Sequence, residues 1–194
     1  MATLHTIGHS TRELDAFIEL LRAHRIERLV DVRRYPGSRR YPHFGSESLR
    51  LSLRDAGIAY RHAPELGGRR SSKAPSVNTW WRSASFRAYA DYMGTDEFRR
   101  ARDELIAEAA HERTTVMCAE AVPWRCHRNL ISDAVVAAGH AVVHIVDAGA
   151  AEPHELNPAA LRDAGFERVL LDVEGYRRGA LNEGLALVQL ERAS

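Results

Sequence analysis

Residues 4–32 read LHTIGHSTRELDAFIELLRAHRIERLVDV, and the order of patterns in that stretch decides the fold. Leu4 to Ile7 is a short apolar run that ends at Gly8. Ser10-Thr11-Arg12-Glu13 has the form of a capping box, a hydroxyl followed three residues later by a carboxylate. It stands ahead of Leu14, Phe17, Ile18 and Leu21 at helical spacing. Ile26 to Val32 is a second apolar run rich in branched residues. The unit is strand, turn, helix, strand, and a helix between two strands implies that they run parallel.

The alternation continues outward. Ser46 to Ala56 is predicted as a helix with Gly57 as its C-cap, and Ile58 to His62 as a third strand. Phe86 to Met93 and Asp96 to Glu112 read as helices, and Thr114 to Cys118 as a fourth strand. Leu130 to Ala138 is a helix ended by Gly139, and Ala141 to Val146 is a fifth strand. The expected class is α/β: one domain with an open, mostly parallel sheet flanked by helices on both faces. Between Ala63 and Ser83 the chain turns to Pro, Gly, Ser, Arg and Trp, a loop of about 20 residues, a length usual for functional or mobile segments. Residues 157–194 are expected as a C-terminal extension, an appended hairpin or edge packed on the domain formed by residues 1–156.

The 194 residues are 45% hydrophobic, enough for one substantial core. With 27 basic and 26 acidic side chains the formal net charge is +1, which indicates neither disorder nor a uniformly cationic nucleic-acid coat. No apolar run reaches the roughly 18–20 residues of a membrane helix, and MATLHTIGHS lacks the regions of a signal peptide, so a cytoplasmic protein without membrane contact is expected. Cys118 and Cys126 then read as two thiols rather than a disulfide. Charge is polarised: residues 33–70 hold nine arginines against three acids, residues 146–194 five against nine.

In open α/β sheets ligands bind beyond the carboxyl ends of the strands, so the residues that follow each strand are the candidates. Asp31, between Val30 and Val32 and ahead of two arginines, either ties down its own loop or serves as a base or nucleophile. Glu120, two residues past a strand, has the same two readings, and the pair would act as general acid and base if the sheet brings them together. His9 and Ser10 follow Gly8 at a strand-to-helix turn, where they either satisfy the turn or hold a phosphate or a water on bare backbone N–H groups.

CAEAVPWRCHR, residues 118–128, places a thiol at a strand end ahead of a basic helix start. This resembles the loop of cysteine phosphatases and rhodaneses, which makes Cys118 a candidate nucleophile, although position 124 is Trp where those loops carry Arg. Cys118, Cys126 and His127 show neither CxxC nor HxxxH spacing, and adjacent Cys and His rarely reach one ion, so no metal and no cofactor is expected. Cys126 reads instead as a small buried hydrophobe, with His127 and Arg128 directed at a ligand from the helix start.

Arg33, Arg34, Tyr35, Arg39, Arg40, Tyr41 and Phe44 interleave guanidinium groups with aromatic rings, and a second loop adds Arg69, Arg70, Lys73, Trp80, Trp81 and Arg82. Such loops are either solvated or grip phosphate and stack on bases.

Thr6-Ile7-Gly8-His9-Ser10, Val30-Asp31-Val32-Arg33 with Pro36 and Ser38-Arg39, Gly57-Ile58, Leu66-Gly67-Gly68, Tyr89-Ala90, Met117-Cys118-Ala119-Glu120 and Cys126-His127-Arg128 closely resemble the domain-of-unknown-function family DUF488. The resemblance runs from about residue 3 to Leu156, including His144-Ile145 and Pro153-His154. It implies a small α/β domain and carries no reaction with it.

The function expected from the residues is therefore an enzyme acting on nucleic acid or a nucleotide. Arg33, Arg34, Arg39, Arg40, Arg125, Arg128, Ser10 and His127 would hold phosphate, and Tyr35, Phe44 or Trp81 would stack on a base. Asp31 and Glu120, with His9, would hydrolyse an N-glycosidic bond of a modified or damaged base, as in DNA repair, or a phosphodiester. The alternatives are a thiol enzyme of rhodanese or phosphatase type using Cys118, and a non-enzymatic nucleic-acid-binding module.

Overall fold

The computed structural model describes residues 1–37, 40–71, 75–76, 78–79, 81 and 83–156. Strands β1 (Thr3–Gly8), β2 (Arg28–Asp31), β3 (Ala59–His62), β4 (Thr114–Cys118), β5 (Ala141–Ile145) and β6 (Ala151–Pro153) form one six-stranded sheet in the order β3-β2-β4-β1-β5-β6. The first five are parallel, and β6 adds an antiparallel edge. Sequence reading missed β6 because three residues carry no alternation; its Pro153 is tolerated because an edge strand leaves one side without a ladder. The expected C-terminal hairpin lies outside the described residues.

Helices α1 (Leu14–Ala23) and α2 (Ser46–Asp55) cover one face of the sheet; α3 (Ala84–Met93), α4 (Asp96–His111) and α5 (Arg128–Ala137) cover the other. Alternation along each strand sorts side chains between the two cores. Ile7, Leu29 and Met117 meet Phe17, Leu21, Leu49 and Leu53 under α1 and α2. Leu4, Val30, Val116 and Val142 meet Tyr89, Phe98, Leu105, Leu130 and Ile131 under α3 to α5. The predicted capping box is not formed. Glu13 is the N-cap of α1 without a side-chain bond, and Ser10 lies too far upstream, in a left-handed conformation with φ 52°. Gly57 ends α2 as predicted, one residue beyond the C-cap Ala56 and in the left-handed conformation with φ +76°.

The chain from β1 runs through α1 toward β2, while that from β4 runs through α5 toward β5, on the opposite face and in the opposite direction. Since β1 and β4 are neighbours, the crevice of the fold opens between their carboxyl ends.

A buried chain of polar groups ties β6 to the body. Thr6 Oγ1 lies 2.7 Å from His144 Nδ1, His144 Nε2 lies 3.0 Å from His154 Nδ1, and His154 Nε2 lies 2.9 Å from Asp133 Oδ1 on α5. Burial, with His154 adding to it, lowers His144 to about 3; burial, with Arg113 adding to it, lowers His5 to about 4. Both imidazoles are thus neutral in the fold at pH values where the unfolded chain takes up a proton. Their contribution to stability is complete above pH 6.5 and is lost progressively toward the folded values. The expected loss is roughly 2 kcal/mol from each by pH 5. Thermal melts between pH 7.5 and 5 check this: Tm falls steeply in the wild type and less so in His144→Asn, and a flat wild-type profile refutes it.

Candidate functional site

A cavity of about 940 Å³ occupies the crevice at the carboxyl ends of β1, β2 and β4. His9, Ser10, Cys118, Glu120, Cys126 and His127 line it, with His9, Cys118 and Cys126 buried and Glu120 exposed. Arg34, Tyr35, Arg40, Tyr41, Arg69, Trp124 and Arg125 surround its mouth. Among the described residues that line it, Glu120 is the only carboxylate. Arg34, Arg40, Arg69 and Arg125 form no ion pair with a described carboxylate, so the mouth is cationic. Tyr35 and Trp124 are 66% and 57% exposed, Tyr35 with the Arg34 guanidinium 5.8 Å from its ring centroid, so this rim carries two exposed aromatic rings. Ser10 and Arg69, two of the three non-glycine residues with positive φ among the described residues, also line the cavity, which places backbone strain there.

Several predicted contacts are corrected by position. Asp31 and Cys118 project from opposite faces of the sheet, because Asp31 shares the face of Leu29 and Cys118 that of Val116. Asp31 is fully buried beneath the α1 and α2 face and does not line the cavity. Its Oδ1 accepts from the Arg33 Nε (2.8 Å) and backbone N–H (3.1 Å), and its Oδ2 accepts from Arg33 NH2 (2.5 Å) and the Tyr60 hydroxyl (3.0 Å). Arg33 NH2 also donates to the Phe44 carbonyl, and NH1 lies 3.4 Å from His9 Nε2. Asp31 and Arg33 are therefore a closed buried ion pair that shapes the wall: the carboxylate accepts four hydrogen bonds and has no capacity left for a base role, while Arg33, which lines the cavity, keeps only NH1 outside the bonds to Asp31 and Phe44.

Phe44 is also buried, stacked on His9 at 4.1 Å and edge-on to Phe17, and cannot meet a base. Trp81 packs in the other core against Phe86. His9 donates from Nδ1 to the Ser10 carbonyl at 2.9 Å, and burial with Arg33 lowers it to about 4, so it is a neutral ring held for Arg33. The backbone N–H groups of His9 and Ser10 are not bare: they donate to the Cys118 and Ala119 carbonyls, extending the β1–β4 ladder.

Arg128 is buried under the loop after β4, donating to Thr6 Oγ1 and to the Glu120 and Ala121 carbonyls, so it positions that loop instead of touching a phosphate. Arg70 is likewise spent on the Pro64, Glu65 and Gly67 carbonyls and the face of Tyr92. Arg39, Lys73, Trp80 and Arg82 lie outside the described residues.

The residues that meet in the cavity lining are Cys118, Cys126 and His127. A short turn at Pro123–Arg125 returns the chain from β4. Cys126 is extended (φ −130°, ψ 148°) and His127 helical (φ −59°, ψ −16°), so the backbone bends between them and both side chains face the same point. That bend removes the expected obstacle to adjacent Cys and His converging. His127 Nδ1 lies 3.9 Å from Cys118 Sγ and 3.6 Å from Cys126 Sγ. His127 Nε2 donates to the Val32 carbonyl at 3.0 Å, which leaves Nδ1 with its lone pair toward the sulfurs. The Cys118 thiol, donating to Cys126 and buried, is pushed up; Cys126, accepting that bond with His127 and Arg128 nearby, is drawn down. Two glycines allow this packing. A Cβ on Gly8 would lie 1.9 Å from the Glu120 carbonyl, and one on Gly68 would lie 2.9 Å from His127 Nδ1. Sequence reasoning undervalued Cys126, Trp124 and both glycines, since only the tertiary approach of β1, β4 and the 66–69 loop shows why they matter.

The fold and cavity define an open α/β protein with a cationic crevice at its topological switch point. The chain belongs to the family described as domain of unknown function DUF488, whose model matches residues 13–135, from the start of α1 into α5. No curated protein and no solved structure matches it. Among the described residues, no helix is long and apolar enough to cross a membrane.

Proposed function

We infer that this protein is a hydrolase acting on nucleic acid or a nucleotide, with Glu120 as the general base. The observation that carries the reading is the cavity's composition: four arginines without carboxylate partners and two exposed aromatic rings around a single acid. Guanidinium groups favour phosphate oxygens, and exposed rings give bases a stacking surface. Asp31 and Arg33 serve as positioning residues that hold the wall and His9. A buried acid saturated by its own arginine supplies no proton acceptor, so the carboxylate pair of the sequence reading reduces to Glu120 alone.

The thiol reading also persists in altered form, favoured by the approach of Cys126 Sγ to His127 Nδ1 at 3.6 Å, shorter than the 3.9 Å from Cys118 Sγ. In that case Cys126 is the nucleophile and Cys118 its hydrogen-bond donor.

Fluorescence anisotropy with a labelled oligonucleotide, single-stranded and duplex, tests the substrate class. Four phosphate contacts predict that the logarithm of affinity falls with that of salt at a slope of roughly −3, a loss of about 50- to 150-fold between 50 and 200 mM. Replacing Arg69 and Arg125 together by Ala should halve that slope. No binding at low salt, or a salt-independent affinity, removes nucleic acid as the substrate class.

A further inference from the structure

We propose that Cys118 Sγ, Cys126 Sγ and His127 Nδ1 bind one zinc ion whose fourth coordination position opens into the arginine-rimmed cavity. The three donor atoms lie within 4.8 Å of one another. Zinc bonds of about 2.3 Å to sulfur and 2.0–2.1 Å to nitrogen at tetrahedral angles give S···N edges of about 3.6 Å and an S···S edge of about 3.8 Å. The S···N separations here are 3.6 and 3.9 Å and the two sulfurs lie within 4.8 Å of each other, so the three donors close on a zinc ion with side-chain shifts of up to about 1 Å.

The surroundings are those of a ligand set. Metal-bound histidines usually donate their second ring N–H to a carbonyl or carboxylate, and His127 Nε2 does so to Val32. Gly68 keeps a side chain out of the space beside Nδ1, where a Cβ would lie 2.9 Å away. Two sulfurs and one imidazole select zinc over magnesium or calcium, which take oxygen donors. Two thiolates also neutralise the divalent charge, so the occupied site adds none to the interior. Three protein ligands with the fourth position open are the arrangement of catalytic rather than structural zinc, and all three ligands line the cavity that also holds Glu120.

This deepens the hydrolytic reading and rests on it for its chemistry, though not for binding. A water at the fourth position would have its pKa lowered to about 7 and would give its proton to Glu120. The hydroxide oxygen then bonds to the electrophilic carbon or phosphorus. The bond to the leaving group breaks, and Glu120 returns the proton to that group.

The test uses the full chain, purified under reducing conditions and reconstituted with zinc alone. Metal analysis should find one zinc per chain. Cobalt in its place should give the visible bands of a tetrahedral site and thiolate charge transfer. Both cysteines should react with a thiol reagent in the apoprotein and be protected by one equivalent of zinc. Cys126→Ser and His127→Gln should lose the metal while Glu120→Gln keeps it. Circular dichroism identifies any variant that fails to fold, and the wild-type thiol titration stands without the variants. Substoichiometric zinc, thiols that react equally with and without it, a disulfide resistant to mild reduction, or folded ligand variants that retain full zinc each overturn the site. Zinc bound with these properties but no hydrolysis of any probe sinks the hydrolytic reading and leaves the site standing; hydrolysis undiminished by a chelator does the reverse.

Discussion

Asp31→Asn is expected to lower stability by about 3–5 kcal/mol, a drop in Tm of roughly 6–20 °C for a chain of this size. The substitution nearly preserves shape but removes the charge that Arg33 is folded around. Arg33 would keep its bonds to the Phe44 carbonyl and toward His9, yet a guanidinium that is 7% exposed would have lost its only carboxylate among the described residues. An unpaired buried charge is the costly state, whereas removing both partners is often tolerated. Asp31→Leu combined with Arg33→Met should therefore recover much of the loss. Thermal or urea melts of the single and double variants form the test. A folded Asp31→Asn protein with wild-type Tm and a selective loss of turnover would make Asp31 a catalytic residue after all.

Glu120→Gln has the opposite signature. Its side chain is exposed at the cavity, so stability should change by no more than about 0.5 kcal/mol. Loss of a general base should slow turnover by roughly 10²- to 10⁴-fold. Oligonucleotide affinity should remain or rise slightly, because a negative charge leaves a phosphate-binding surface. Two probes are appropriate, a simple phosphodiester and a lesion-containing duplex, each with zinc supplied. Unchanged turnover in the variant removes Glu120 as the base. A wild type that binds the duplex but turns over neither probe favours a binding module over an enzyme.

These two acids show how far the sequence could be read. Asp31 is the last residue of β2 and Glu120 stands two residues past β4, and by sequence both read alike as acids at the carboxyl end of the sheet. Their difference arises from the side of the sheet on which Asp31 emerges and from Arg33, two residues on, which folds back over the same face. Phe44 and Trp81 diverge from Tyr35 for a related reason. An aromatic residue in an irregular loop has no periodicity to report whether it faces solvent, and only packing against His9, Phe17 or Phe86 settles it.

By itself, the sequence determined the five parallel strands, the helices between them and the end of the sheet where polar side chains gather. Hydrophobic period and helix-ending glycines are local properties, and the parallel order follows from chain connectivity. Only the tertiary structure decided which of those polar residues share a cavity. It closed Asp31 on Arg33, spent Arg70 and Arg128 on loop carbonyls, and turned Cys126 and His127 toward Cys118. Those contacts join residues only one to nine positions apart, but which of them form depends on the face of the sheet each side chain leaves from, on how the loops fold back, and on one backbone bend between two neighbours, none of which is encoded in spacing along the chain.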